Sequence, residues 1–167
     1  MTKITDDIKL DAIRALYGMR LIINREMLMP NQYVSQRVDD PAAAASGALC
    51  GGRKMCAVGS LWVGGGVKIE TRPGHGRVVY ANIPGTNPEQ RKAFLKGDSR
   101  KGLRLAYKTM NKACKAYGEA EGLDMADYDA DDVFCSGGME VLFERHEAPA
   151  PVLLRLIDQA VERIERA

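Results

Sequence analysis

Long apolar runs, cysteines and net charge are all in short supply in this sequence of 167 residues. The longest apolar stretch, residues 57–67, is interrupted by glycine and serine and is shorter than the roughly 18 residues of a membrane-spanning helix. We therefore expect no membrane partner. Four cysteines are too few for a disulfide scaffold in a chain of this length, so free thiols are expected. A formal net charge of +2 creates no overall attraction to nucleic acid or to an anionic membrane.

The first residues lack the pattern of a secretory signal peptide. Asp6 and Asp7 follow the N-terminus at once, and no hydrophobic core ends at a small-residue cleavage site. We therefore expect a cytoplasmic location. With 46% hydrophobic and 28% charged residues, the chain has enough apolar surface to offset the entropy lost on folding. Its length predicts a single domain spanning residues 1–167.

Several segments have the apolar spacing of three and four residues that is typical of amphipathic helices. The first predicted helix runs from Asp6 to Met29 and is ended by Pro30. Gly18 costs this helix about 1 kcal/mol relative to alanine, which predicts either a close helix contact or a weak point. Further helices are predicted over residues 87–96 and from residue 98 to Gly118 or Gly122. A stiff turn at residues 148–151 leads into a last helix, whose predicted core positions are Leu153, Leu156, Ile157, Ala160, Val161 and Ile164.

Two central segments complete the predicted fold. Residues 55–63 are apolar at nearly every position, which fits a buried helix or a buried strand, and we favour the helix. Residues 67–70 and 78–83 alternate and carry β-branched side chains around the turn residues 72–77, which predicts a β-hairpin. The expected fold is α+β and mainly α: a compact helical domain with one inserted β-hairpin.

Charge is strongly segregated along the chain. Residues 91–115 contain nine basic residues and one acidic residue, whereas residues 119–147 contain ten acidic residues and one basic residue. On the predicted helix, the last five of these cations, from Lys101 to Lys115, recur at spacings of three and four residues, which places them on one face. We call this surface the basic face, and it consists of Arg100, Lys101, Arg104, Lys108, Lys112 and Lys115.

Three interpretations of the basic face are open. It is a solvated helix surface, it pairs with the acidic segment of the same molecule, or it binds nucleic acid along a phosphate backbone. Few aromatic residues interleave the basic ones, which disfavours a stacking platform for single strands. For the oligomeric state, which is a separate question from the basic face, the sequence also permits a homodimer through an apolar helix face.

Thiol chemistry provides a weaker hypothesis. Cys56 follows Arg53 and Lys54 at the predicted start of a helix, an arrangement that lowers the pKa of a thiol. A cysteine-dependent hydrolase would pair Cys56 with His75 or His146, but neither spacing identifies such an enzyme, and we favour a protein without catalytic activity. Cys114 lies on the apolar side of its predicted helix, where an inert core thiol is expected.

Metal and phosphate motifs are incomplete. Asp127, Asp129 and Asp131 have the spacing with which a calcium loop begins, but Gly138 stands where the closing glutamate is needed. Five residues separate Cys50 from Cys56, and paired zinc ligands usually have two to four between them. Neither a GxGxxG motif after a strand nor a phosphate-binding loop is present. We expect no cofactor and no metal.

Residues 53–61, which read RKMCAVGSL, resemble the CAxGAL signature of a family of small uncharacterised proteins from actinobacteria and their phages. The chain agrees with that family over about half of its length, with an N-terminal helix before the motif and helices after it. The predicted hairpin at residues 67–83 and the acidic loop at residues 124–132 depart from the family pattern. The resemblance implies a cytoplasmic phage or actinobacterial accessory protein and implies no catalytic residue. Our expectation is a protein that binds a host protein, with nucleic-acid binding and a Cys56 hydrolase as alternatives.

Overall fold

The first helix forms the centre of the structure, a computed structural model that describes residues 4–23, 57–68, 70–73, 79–82, 88–122 and 149–167. Helix α1 spans Asp6–Ile23, and its two initial aspartates complement the positive end of the helix dipole. The predicted start of this helix is confirmed, whereas its predicted end at Met29 lies outside the described residues. The buried side of α1 contains Ala12, Ala15, Leu16, Met19, Ile22 and Ile23.

Helix α2 spans Ala57–Gly64 and is buried along almost its whole length. The prediction of a helix here is confirmed for residues 57–63. Gly66 ends the turn after α2 with a φ of 80°, a conformation that glycine adopts without steric cost. Three backbone hydrogen bonds close this turn, from the N–H groups of Gly65, Gly66 and Val67 to the carbonyls of Leu61, Val63 and Trp62, respectively.

Two four-residue strands follow, β1 over Glu70–Pro73 and β2 over Val79–Asn82. They are antiparallel, with Glu70 opposite Asn82 and Pro73 opposite Val79. Neither strand makes extensive contact with a described helix. The predicted α+β class is therefore wrong, because a fold class depends on the layers that enclose the core, and the described core is formed by helices alone. Of the predicted turn at residues 72–77, Arg72 and Pro73 belong to β1 instead, and residues 74–77 lie outside the described residues.

The second half of the described chain is helical. Helix α3 spans Pro88–Leu95, with proline at its first position as expected. A 3₁₀ turn, Asp98–Arg100, leads directly into helix α4, which spans Lys101–Ala120. Helix α4 passes through Gly118 and ends before Gly122, which has a φ of 74°. Helix α5 spans Pro149–Glu165, so residues 149–151, which were predicted as a turn, form its first turn instead; proline is tolerated there because the first N–H groups of a helix have no partner within it. The six predicted core positions Leu153, Leu156, Ile157, Ala160, Val161 and Ile164 are buried.

Helix α1 packs against α2, α4 and α5, so it organises the core. Its closest approach is to α2, where Gly18 faces Gly64: a Cβ on Gly18 would lie 2.5 Å from the Cα of Gly64. Gly102 permits a second close approach, because a Cβ there would lie 2.5 Å from the Cβ of Asp11 on α1. The predicted close contact at Gly18 is thus confirmed. Three rings fill the space beside α2, with Trp62 centred 5.7 Å from Phe94 and 5.5 Å from Tyr107.

Candidate functional site

The exposed side of α4 carries the basic face. The opposite side is held in the core by a stripe that includes Leu103, Ala106, Met110 and Cys114, all of them buried. Lysines four residues apart are neighbours on a helix surface, and positions 101 to 115 span about 21 Å at 1.5 Å per residue. The arrangement is therefore a line of positive charge parallel to the helix axis.

Two arginines of the basic face also have a structural role. The Nη1 group of Arg100 donates a hydrogen bond of 3.0 Å to the carbonyl of Phe94, and Arg104 donates one of 3.3 Å to the carbonyl of Leu95. These carbonyls belong to the last turn of α3, where carbonyl groups have no partner within the helix. The guanidinium of Arg100 also lies 3.9 Å from the centre of the Phe94 ring. Both arginines thus attach the end of α3 to the start of α4.

The lysines of the basic face differ in their partners. Lys101 Nζ lies 3.1 Å from Asp98, and Lys115 Nζ lies 3.9 Å from Glu119, both within one turn of the same helical segment. Ion pairs of this exposed type contribute about 0.3 to 0.5 kcal/mol, so they open readily when a stronger anion is present. Lys108 and Lys112 are exposed and form no ion pair within the described part of the chain. No described element therefore covers the centre of the basic face. The acidic segment at residues 119–147, which the sequence offers as an intramolecular partner, lies outside the described residues from residue 123 onward.

A cleft of about 880 Å³ opens at the N-terminal end of α4. Its cationic side chains come from three distant parts of the sequence: Arg14 on α1, Lys68 after α2, and Arg100. Asp11 lines the same cleft and pairs with Arg14 at 3.6 Å. Sequence analysis did not identify Arg14 or Lys68, because neither belongs to a local motif. Helical periodicity places Arg14 on an exposed side but cannot indicate which segment lies beside it.

The remaining predicted site residues fall mainly outside the described residues. The hydrolase candidates Cys56, His75 and His146 lie there, as do the calcium candidates at 127, 129 and 131. Within the described ranges, no group of three or more histidine, cysteine, aspartate or glutamate side chains is arranged to hold a metal ion. Cys114 is buried, as expected, and desolvation raises its thiol pKa from 9.0 to about 12, which keeps it protonated and unreactive.

Known proteins add no further assignment. No protein-family model, curated protein or solved structure matches this chain. The resemblance of residues 53–61 to an actinobacterial and phage family therefore stays a prediction. Among the described helices, none combines the length and the apolar character needed to cross a lipid bilayer.

Proposed function

We propose that this protein binds double-stranded nucleic acid through the basic face of α4. The observation that carries the proposal is the line of cations with Lys108 and Lys112 at its centre, both exposed and both without an ion pair among the described residues. A lysine that already has a carboxylate partner gains less from a phosphate than one that has none. Because Lys108 and Lys112 are exposed, the centre of this line is accessible to the phosphates of a duplex.

The shape of the surface supports a duplex as the ligand. A straight line of about 21 Å spans several phosphates of a duplex, which carries one charge per roughly 1.7 Å of its axis. Single-stranded ligands need exposed aromatic rings on which bases stack. Tyr107 and Trp62 are instead buried against each other, so these two rings are not available for stacking.

The test is a titration of a fluorescent DNA duplex at several salt concentrations, starting at about 50 mM. Replacing Lys108 and Lys112 together with glutamine should reduce the slope of log K against log salt by about 2, since each phosphate contact contributes about 0.9. The matched control replaces Arg155 and Arg163 on α5 with glutamine. Both arginines are exposed, and the double substitution removes the same total charge as the α4 variant.

Two results would contradict the proposal. One is the absence of duplex binding by the unmodified protein at about 50 mM salt. The other is an equal change of slope in the α4 variant and in the α5 control, because net charge alone would then account for binding. A preserved slope in the control with a reduced slope in the α4 variant supports the basic face.

A protein partner, the host protein expected from the sequence, is the second candidate. Leu10, Tyr17 and Leu21 are 46%, 49% and 53% exposed on one side of α1, and exposed apolar side chains of this size are typical of contact surfaces. Under this hypothesis, replacing Tyr17 with serine weakens the retention of a discrete protein from host lysate. Equal retention by both proteins would contradict it.

A further inference from the structure

We propose that the cleft at the N-terminal end of α4, which shares Arg100 with the basic face, is a binding site for a small phosphorylated organic molecule. Among the described residues that line it, the cleft brings together three cations, Arg14, Lys68 and Arg100, and one carboxylate, Asp11. The charge of this described lining is therefore positive. Its volume of about 880 Å³ falls within the range of about 300 to 1,000 Å³ that is usual for small-molecule sites.

Arg100 is held in a defined position before any ligand arrives. Its guanidinium lies 3.9 Å from the centre of the Phe94 ring, and its Nη1 group donates to the carbonyl of Phe94. A guanidinium has five N–H donors in a planar fork, so most of them are left for an anion. Because the side chain is already ordered, little rotamer entropy is lost when a phosphate binds.

Side chains, and not the glycine-rich turn after α2, supply the donors for the phosphate. The amides of Gly65, Gly66 and Val67 all donate to carbonyls of α2 within the turn itself. They are therefore occupied, unlike the free amides of a phosphate-binding loop. Among the described lining residues, the side-chain donors are the three cations and the hydroxyl of Ser99.

Glycines give the cleft its shape. A Cβ on Gly65 would lie 2.7 Å from the Cδ1 of Leu103 and 3.3 Å from the Cβ of Ala15, so the turn lies close to both α4 and α1. Gly102 lets the start of α4 approach α1, because a Cβ there would lie 3.1 Å from the backbone nitrogen of Ala12 and 2.5 Å from the Cβ of Asp11. These two contacts bring Arg14 and Arg100, 86 positions apart in the sequence, to the same opening.

The cleft also has an apolar part that fits an organic group. Ala15, Val67, Phe94 and Leu103 line it beside the cations. Recognition sites for small molecules usually combine such apolar walls with a few charged groups that fix the orientation of the ligand. Lys68 is exposed and forms no ion pair within the described part of the chain, whereas Asp11 partly neutralises Arg14. The combination suits a monophosphate attached to a flat or apolar group.

The experiment uses calorimetric titration with adenosine 5′-monophosphate, and adenosine is the probe that lacks the phosphate. The cleft variant replaces Arg14 and Lys68 with glutamine; both side chains are exposed, so the variant should keep the native far-ultraviolet circular dichroism spectrum. The matched control is the Lys108→Gln/Lys112→Gln protein, which loses the same charge outside the cleft.

We expect the cleft variant to bind adenosine 5′-monophosphate at least about tenfold more weakly than the unmodified protein, with no change in the matched control. Adenosine should bind more weakly than its phosphate in the unmodified protein. No binding of the monophosphate, equal binding of adenosine, or an equal loss in both variants would overturn the proposal. Binding restricted to the 5′-phosphorylated end of a duplex would also overturn it, because the ligand would then be a nucleic acid.

The proposal for the cleft and the proposal for the nucleic-acid surface can be refuted independently of each other. If the cleft binds the monophosphate, the Arg14→Gln/Lys68→Gln protein should retain the salt dependence of duplex binding. If the protein binds no duplex at all, the monophosphate titration still tests the cleft.

Discussion

Replacing Gly18 with alanine should destabilise the protein, although alanine is the better helix former. The added Cβ would lie 2.5 Å from the Cα of Gly64 and 2.7 Å from its carbonyl carbon. Ordinary carbon contacts are about 3.5 to 4.0 Å, so α1 and α2 would have to separate by about 1 Å. Since the obstacle is backbone, no side-chain rotation relieves it.

The magnitude follows from two opposing terms. Overpacking of a core contact costs about 1 to 3 kcal/mol, and a backbone obstacle places Gly18→Ala near the upper end. The gain in helix propensity is about 1 kcal/mol. The free energy of unfolding should therefore fall by about 2 kcal/mol, which corresponds to a decrease in Tm of about 4 to 8 °C for a chain of this size.

Urea denaturation followed by circular dichroism at 222 nm measures this change. The control is Gly97→Ala, because Gly97 has a φ of −59° and its added Cβ would meet only the Arg100 side chain at 3.6 Å. We expect that control to change the free energy of unfolding by less than about 0.5 kcal/mol. If Gly18→Ala left the protein as stable as before or more stable, the close contact between the helices would be refuted.

Two further predictions concern Cys114 and the ion pair between Arg20 and Asp158. Burial raises the pKa of the Cys114 thiol from 9.0 to about 12. The thiol therefore ionises at a lower pH in the unfolded chain than in the folded protein. The stability that results from this difference is complete below pH 9 and should be lost as the pH rises towards 12. Urea denaturation from pH 8 to 11 should show a steeper loss of stability than in Cys114→Ala, and parallel curves would contradict this. Arg20 and Asp158 form an exposed pair between α1 and α5, so Asp158→Asn should change the free energy of unfolding by less than about 1 kcal/mol. A loss as large as that of Gly18→Ala would show that this pair does more than join two exposed side chains.

Local patterns in the sequence were sufficient for most of the helices. The apolar stripe of α4 from Leu103 to Cys114 is buried as its spacing predicts, and the six predicted core positions of α5 are buried as well. Helical periodicity is a property of neighbours three and four residues apart, so it can be found without knowing the rest of the fold. Gly122 was one of two predicted ends of α4, and its positive φ shows that it is the actual end.

The prediction from the sequence was wrong for the fold class, because the fold class depends on tertiary packing. Alternating β-branched residues predicted an α+β domain, but the described core is formed by helices, and the two four-residue strands pair with each other without extensive contact to a described helix. A periodic pattern indicates a local conformation and contains no information about what that segment contacts. The basic face shows the same limit, because Arg100 and Arg104 were identified as ligand-binding residues but also bind the last carbonyls of α3.

By itself, the sequence determined where the amphipathic helices lie, that cations gather on one side of α4, and that Gly18 needed an explanation. Only the tertiary structure decided that Gly18 meets Gly64, and that Arg14, Lys68 and Arg100 surround one cleft. The reason is physical: helix formation follows from interactions within one turn of the chain, whereas these contacts join residues many turns apart. Their geometry depends on how closely the helix backbones approach, and the glycines permit that approach.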